Sequence, residues 1–257
     1  MKLFSFAEGN IPMQLLIIAI LLSATMDPLS FAQPEWVLHY SGVGQFEDGP
    51  AAIAVDKHDN VYVAGYVFDS DSSSKSVTIK YNKHGEEEWV RYYGDSNVVS
   101  GATDIAVAQD HPHDVYVTGY SYDTDTTSSF FTIKYDKDGD LKWYKFYSSP
   151  GIRKDYSTAI ALDEKSRNVY VTGYSFQTDT TSALITVKYS KNGEELGVEI
   201  YNGPMNANNG AASITVDKSG VYITGYTHDP NSKQNITTIK YNSSTFELKD
   251  TLSNTVR

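Results

Sequence analysis

The sequence predicts an all-β fold, a β-propeller of four four-stranded antiparallel blades, from two repeated motifs and a strand-forming composition. The chain has 20 Tyr and 18 Gly among 257 residues, and aromatic and β-branched residues favour strands. Two motifs recur together with a period of about 54 residues. The first is a hexapeptide found at Val61–Tyr66, Val115–Tyr120, Val169–Tyr174 and Val221–Tyr226. The second is a tetrapeptide found at Thr78–Tyr81, Thr132–Tyr135, Thr186–Tyr189 and Thr238–Tyr241.

Each repeat contains four predicted strands separated by turn residues. In the first repeat these are Ala51–Val55, Val61–Tyr66, Val77–Tyr81 and Glu88–Tyr93. Gly85 and its equivalents come at a fixed place before the fourth strand, where glycine supplies a positive φ for a tight hairpin. Four short antiparallel strands in each of several repeats are typical of a propeller blade.

The two ends of the repeat region bear on ring closure. Glu35–Gly42 matches the fourth strand of a repeat, although no other strand precedes it, and Phe246–Asp250 stands where the last fourth strand is expected but lacks its Trp. We therefore expect the N-terminal strand to pair into the last blade and close the ring, which hides an exposed strand edge. The alternative is an open arc of four blades.

Residues 1–32 have the pattern of a secretion signal. Leu15–Leu22 is a continuous apolar run, and Ser30 and Ala32 are small residues placed for cleavage before Gln33. We expect a secreted or cell-surface protein with no stable membrane span after cleavage, the alternative being an uncleaved anchor. The propeller then occupies 33–257, with repeats at about 48–94, 100–147, 155–201 and 209–250.

The repeated motifs Val-Tyr-Val-Thr-Gly-Tyr and Thr-Ile-Lys-Tyr-Asp, seen at Val115–Tyr120 and Thr132–Asp136, resemble the SBBP repeat, named for a seven-bladed β-propeller in exported prokaryotic proteins. The resemblance covers nearly all of residues 33–257. It implies a propeller fold and a secreted or surface setting, and it implies no settled activity. The chain departs from the name because it has four complete copies.

Charge and motif content exclude several classes of function. A net charge of −11 argues against nucleic acid as a partner, because phosphate backbones are bound by Lys/Arg stripes. The chain has no Cys, no nucleophile elbow and no phosphate-binding loop. His111 and His113 lie two residues apart without an evident third metal ligand, which favours turn residues. No catalytic residue is predicted.

The loops after the second strand and after the fourth strand share one end of a propeller, and there the repeats differ most. Four residues in equivalent positions at the bases of these loops could form a platform on which a sugar or peptide stacks. They are Phe68, Tyr122, Phe176 and His228. The alternative is that these side chains pack beneath their loops.

The same loops carry aspartates that suggest a calcium site. The candidate ligands are Asp69, Asp71, Asp123, Asp125 and Asp179. Ca²⁺ takes six to eight oxygen ligands, and alternating carboxylates supply them. The alternative is ordinary turn chemistry, in which Asp, Ser and Thr bond to their own backbone. No cofactor other than Ca²⁺ is suggested.

These features predict a non-enzymatic extracellular binding module for a surface glycan or protein, assisted by Ca²⁺ if the loop sites are real. A homo-oligomer is expected if the ring is open. The alternative function is a polysaccharide hydrolase or lyase that uses carboxylates at the central channel.

Overall fold

The computed structural model describes residues 34–42, 46–70, 73–95, 98–110, 113–124, 127–150, 154–229, 231 and 233–253. The chain divides into two compact units, Met1–Val37 and Leu38–Arg257. The predicted secretion signal and its cleavage site lie outside the described residues. None of the described residues forms a helix long and apolar enough to cross a membrane.

The described residues contain sixteen strands, which form four separate four-stranded antiparallel sheets, each with its strands in chain order. Sheet 1 contains β1 (Gly49–Val55), β2 (Val61–Ser70), β3 (Ser73–Tyr81) and β4 (Glu87–Tyr93). Sheet 2 contains β5 (Ser100–Val107), β6 (Val115–Thr124), β7 (Thr127–Tyr135) and β8 (Leu141–Tyr147). Sheet 3 contains β9 (Asp155–Leu162), β10 (Val169–Thr178), β11 (Thr181–Tyr189) and β12 (Glu195–Tyr201). Sheet 4 contains β13 (Gly210–Asp217), β14 (Gly220–His228), β15 (Gln234–Tyr241) and β16 (Leu248–Ser253).

The predicted β-propeller of four-stranded blades is confirmed, and each sheet is one blade. The first strand of each later blade packs against the first three strands of the blade before it. Short parallel bridges, such as Ser128 with Lys154, tie the start of a first strand to the third strand of the preceding blade. The first strands β1, β5, β9 and β13 are therefore the innermost strands.

A repeated lysine–tyrosine pair fastens each blade to the next. The lysine lies over the tyrosine ring of its own blade and donates a hydrogen bond to a turn carbonyl of the following blade. The pairs are Lys80 over Tyr62, Lys134 over Tyr116 and Lys188 over Tyr170. Their acceptors are the carbonyls of Lys137, Lys191 and Ser243, at 3.2, 3.1 and 2.9 Å. The recurring tyrosines thus pack between blades, as their presence in every repeat suggests.

In blades 1 and 2 a Trp on the fourth strand pairs with the lysine of this contact. Blade 3 lacks the Trp, and blade 4 supplies an aromatic ring in its place. Trp89 and Trp143 each contact a tyrosine of their own blade and one of the next. Gly197 takes the equivalent place in blade 3, and the Phe246 ring fills the space, with a Cβ on Gly197 only 3.1 Å from it. Phe246 has a φ of 56° and lies in the turn before β16. The fourth strand of blade 4 therefore begins at Leu248, two residues later than the predicted start at Phe246.

The predicted closure by the N-terminal strand is wrong. The described residues between 34 and 42 form no strand, and β16 is itself the fourth strand of the last blade. Tyr40 instead packs against blade 1, beside Val67, Val77 and Ile79. The last blade already has its four strands, so no vacant position remains in it for an N-terminal strand.

The described strands form the alternative arrangement, an open arc. Four isoleucines share one register on the innermost strands, and in blades 2 to 4 the preceding blade covers them: Ile105, Ile160 and Ile214 are 6%, 6% and 8% exposed. Ile53 in blade 1 is 67% exposed. At the other end, Lys240 lies over Tyr222 and bonds to Ser219 of its own blade. Blade 1 and blade 4 are therefore the two ends of the arc.

Candidate functional site

A row of tyrosine rings crosses the blades at the end of the propeller where the innermost strands begin. Tyr66, Tyr120, Tyr174 and Tyr226 occupy one position of the repeat and lie half-buried. In three blades the ring lies across a glycine of the innermost strand, since a Cβ on Gly49, Gly101 or Gly210 would be 2.4 to 3.1 Å from the nearest ring carbon. The glycines therefore leave room for the rings to reach toward the axis.

Tyr156 links the row between blades 2 and 3. It stands where the other blades have glycine, and its ring stacks on Tyr174 with centroids 5.2 Å apart and planes 26° apart. Its ring centroid is also 6.4 Å from that of Tyr120. Its hydroxyl lies 3.1 Å from that of Tyr122. These contacts form a continuous aromatic surface across the two central blades.

The hydroxyl groups of Tyr120 and Tyr174, in the two central blades, are neutral hydrogen-bonding groups. Burial raises the pKa of Tyr120 and of Tyr174, and neighbouring tyrosines add to the shift. These phenols stay protonated at neutral pH, because their ordinary pKa is already about 10. Within the described ranges, no hydrogen bond engages the hydroxyls of Tyr66, Tyr120, Tyr174 or Tyr226. The row therefore combines apolar faces with hydroxyls that can bond to a polar ligand.

The four predicted platform residues lie two positions after the tyrosines, on the same side of each second strand. Phe68, Tyr122, Phe176 and His228 each contact the tyrosine of their own blade edge to face, with centroids 5.7 to 6.4 Å apart. All four are half-buried. Nδ1 of His228 is buried without a hydrogen-bond partner among the described residues. Their role as a ligand platform remains a prediction.

The predicted calcium ligands are only partly described. Asp69 is the penultimate residue of β2, accepts a hydrogen bond from the Ser73 hydroxyl and pairs with Lys75 at 3.0 Å. Asp179 is 85% exposed and lies 3.6 Å from Lys154. Asp71 and Asp125 lie outside the described residues, as does the side chain of Asp123. Each fully described carboxylate therefore has a lysine as its neighbour, and their role as Ca²⁺ ligands remains a prediction.

Asp104 places a carboxyl group on an innermost strand. Oδ2 accepts a hydrogen bond from the Ile160 backbone N–H of the next blade at 2.9 Å, and Oδ1 accepts one from Ile105. Burial raises the pKa of Asp104, although both hydrogen bonds act in the opposite direction. Asp104 pairs with Thr118, two residues before Tyr120 on β6, which puts it about 7 Å along the strand from the tyrosine row.

The opposite end of the propeller holds a cavity of about 580 Å³ between blades 3 and 4. Its wall includes Asp163, Lys165 and Lys218 from the first-to-second strand turns, Asp217 from the end of β13, and Lys188 from β11. Burial lowers the pKa of Lys188. Acidic and basic groups alternate around this cavity, so its wall selects for no single charge.

Sequence reasoning missed Tyr156 and Asp104, and both break the repeat. Tyr156 replaces a glycine that the other three blades share at Gly49, Gly101 and Gly210. Asp104 stands where the other innermost strands have Ala or Ser. A comparison of the four repeats for positions where one blade departs from the others would have found both residues.

No protein-family profile and no curated protein matches the chain. Solved structures do match. An exo-1,5-α-L-arabinanase from a bovine ruminal metagenomic library is 11% identical, with a TM-score of 0.42, and the match covers 80% of this chain and 76% of that one. An α-L-arabinofuranosidase from Clostridium thermocellum is 13% identical, with a TM-score of 0.41, and the match covers 80% of this chain and 72% of that one.

These matches correct the functional prediction. Both matched proteins are enzymes by name, which contradicts the expected non-enzymatic binding module and agrees better with the alternative, a polysaccharide hydrolase. At this identity and TM-score, the likeness assigns no site or substrate to this chain. The β-propeller fold itself rests on the four sheets described above.

Proposed function

We propose that this chain is a polysaccharide hydrolase that binds its substrate across the tyrosine row. The row is the observation that carries the proposal. Tyrosines offer sugars an apolar face for stacking and a hydroxyl for hydrogen bonding, and here Tyr120, Tyr156 and Tyr174 are joined by ring contacts across two blades. A surface several rings long suits a chain of sugars better than a single small ligand.

Asp104 is the candidate acid. Glycoside hydrolysis needs a carboxylic acid that is still protonated when it meets the glycosidic oxygen. Enzymes obtain it by burying the group, which raises its pKa, and burial raises the pKa of Asp104 in this way. Its position on β5, two residues along the ladder from Tyr120, puts it next to the proposed sugar surface.

The state of the tyrosines favours hydrolysis over elimination. A lyase removes a proton from the sugar ring and needs a base near neutral pH. The raised pKa values of Tyr120 and Tyr174 make these phenols hydrogen-bond donors rather than bases. We therefore expect cleavage products without a double bond.

The experiment incubates the full chain with arabinan, xylan, pectin and β-glucan and measures reducing ends and unsaturated products. We expect reducing ends from at least one polymer, a loss of at least about a hundredfold in Asp104→Asn, and a raised KM in Tyr156→Ala. Tyr144→Ala is the matched control, because Tyr144 lies 51% exposed on the outermost strand β8, and it should behave as the parent protein.

Three results would contradict the proposal. The first is no cleavage of any polymer together with no binding of it. The second is unchanged cleavage in Asp104→Asn, which removes the candidate acid. The third is an unsaturated product, which would replace hydrolysis by elimination.

A further inference from the structure

Two histidines and an aspartate from neighbouring blades meet at the end of the propeller opposite the tyrosine row. Asp56 and His58 belong to the turn between β1 and β2, and His113 belongs to the equivalent turn between β5 and β6. One ligand atom of each lies within 4.8 Å of the other two. The imidazole rings of His58 and His113 are 4.8 Å apart at 82°. Blade 1 therefore supplies two of the three ligands and blade 2 supplies the third, whereas His111 lies outside the described residues.

The backbone of the second turn holds His113 in position. His113 is 8% exposed and has a φ of 60°, and its Nδ1 lies 3.3 Å from the carbonyl oxygen of Ala108. With its proton on Nδ1 the ring donates to that carbonyl, and Nε2 keeps its lone pair. Metal-binding histidines are oriented by this kind of second hydrogen bond.

Asp56 is fixed just as firmly. Its Oδ1 accepts the backbone N–H groups of His58 and Asn60, at 2.8 and 3.1 Å. Its Oδ2 accepts the Asn60 side-chain amide at 2.8 Å and the Tyr62 hydroxyl at 3.0 Å. These four hydrogen bonds hold the carboxylate in one orientation next to the two histidines.

We propose that Asp56, His58 and His113 bind a divalent transition metal, with Zn²⁺ as the best fit, and that the metal joins blade 1 to blade 2. Two imidazole nitrogens and one carboxylate oxygen suit Zn²⁺, Cu²⁺ or Ni²⁺ rather than Ca²⁺, which takes oxygen ligands. Three protein ligands leave a fourth position of a tetrahedral Zn²⁺ for water.

The same position between blades 3 and 4 provides an internal contrast. There the equivalent turns bring Asp163, Lys165, Asp217 and Lys218 to the cavity wall. Ammonium groups repel a cation, and the described lining of this cavity includes no histidine, so we expect no comparable affinity for Zn²⁺ there. The metal site therefore depends on His58 and His113 and is not a general property of the fold.

The test uses the full chain after treatment with a chelator, and titrates it with Zn²⁺ by calorimetry and with Co²⁺ by visible absorbance. We expect one equivalent of Zn²⁺ to bind tightly to each chain and to raise the midpoint of thermal unfolding. Bound Co²⁺ should give the visible spectrum of a tetrahedral site. His58→Gln should weaken binding at least about tenfold and abolish the thermal shift. His113→Asn should do the same, because Asn tolerates the left-handed backbone at this position.

His84→Gln is the matched control, because His84 is an exposed turn histidine outside the cluster. Its Zn²⁺ affinity should equal that of the parent chain. The proposal is overturned if the parent chain binds no Zn²⁺, if His58→Gln binds it as tightly as the parent, or if His84→Gln weakens binding as much as His58→Gln. Because His58 is exposed, its variant should fold, and loss of binding there reports on the site itself.

Discussion

Replacing isoleucine by alanine in blade 1 and in blade 2 compares the same side chain with and without a covering blade. Ile53 and Ile105 occupy the same register, but they are 67% and 6% exposed. The change removes three carbons, each worth about 0.8 kcal/mol when buried. Adding the cavity left behind, we expect Ile105→Ala to lower the free energy of unfolding by about 3 kcal/mol. Ile53→Ala, with about a third of that burial, should cost less than about 1 kcal/mol.

Equilibrium unfolding in urea, followed by far-ultraviolet circular dichroism and by Trp fluorescence, measures both free energies. The difference between the two variants is the informative quantity, since both change the same side chain on the same kind of strand. Equal costs of about 3 kcal/mol would refute the open arc, because Ile53 would then be covered as Ile105 is. Equal costs below about 1 kcal/mol would refute the packing between blades 1 and 2.

Three further predictions test other contacts. In Gly119→Ala the new Cβ would lie 2.1 Å from the Gly101 carbonyl oxygen, so calorimetry should show a stability loss of about 3 kcal/mol. Burial raises the pKa of Asp104 in the folded protein. The stability that Asp104 contributes is therefore complete below the ordinary carboxyl pKa and is lost as the pH rises through the folded-state pKa. The free energy of unfolding of Asp104→Asn, measured at acidic and at neutral pH, should not show this loss. Lys134→Met should lower the free energy of unfolding by about 3 to 5 kcal/mol, because it leaves the buried carboxylate of Asp114 without its ion-pair partner. Lys240 has no following blade to bond to, so Lys240→Met should lower it by less than about 1 kcal/mol in the same urea assay.

Much of the fold could be predicted from the repeat. Each predicted strand of the first repeat overlaps an observed one, because the period-two alternation and the turn glycines fix both. The second strand was predicted to end at Tyr66, whereas β2 continues to Ser70 by pairing with the start of β3. The polar residues there were interpreted as a loop, since Ser and Asp start turns as readily as they end strands.

Features that depend on contacts between blades could not be predicted from one repeat. The replacement of the missing Trp by Phe246 requires knowing that blade 4 reaches into blade 3. The meeting of His58 and His113 likewise depends on the spacing of adjacent blades. The closure prediction failed for the same reason, because the likeness of Glu35–Gly42 to a fourth strand says nothing about whether a position is vacant.

The central claim is that the four sheets pack face to face in blade order, and that no other blade covers Ile53 on the innermost strand of blade 1. The chain has no Cys, so a single cysteine reports solvent access at one position. Ile53→Cys, Ile105→Cys, Ile160→Cys and Ile214→Cys would each be treated with a thiol reagent under native conditions. We expect position 53 to react rapidly and the other three to react only after unfolding. Protection of position 53 equal to that of the others, or rapid reaction at position 105, would contradict the arrangement.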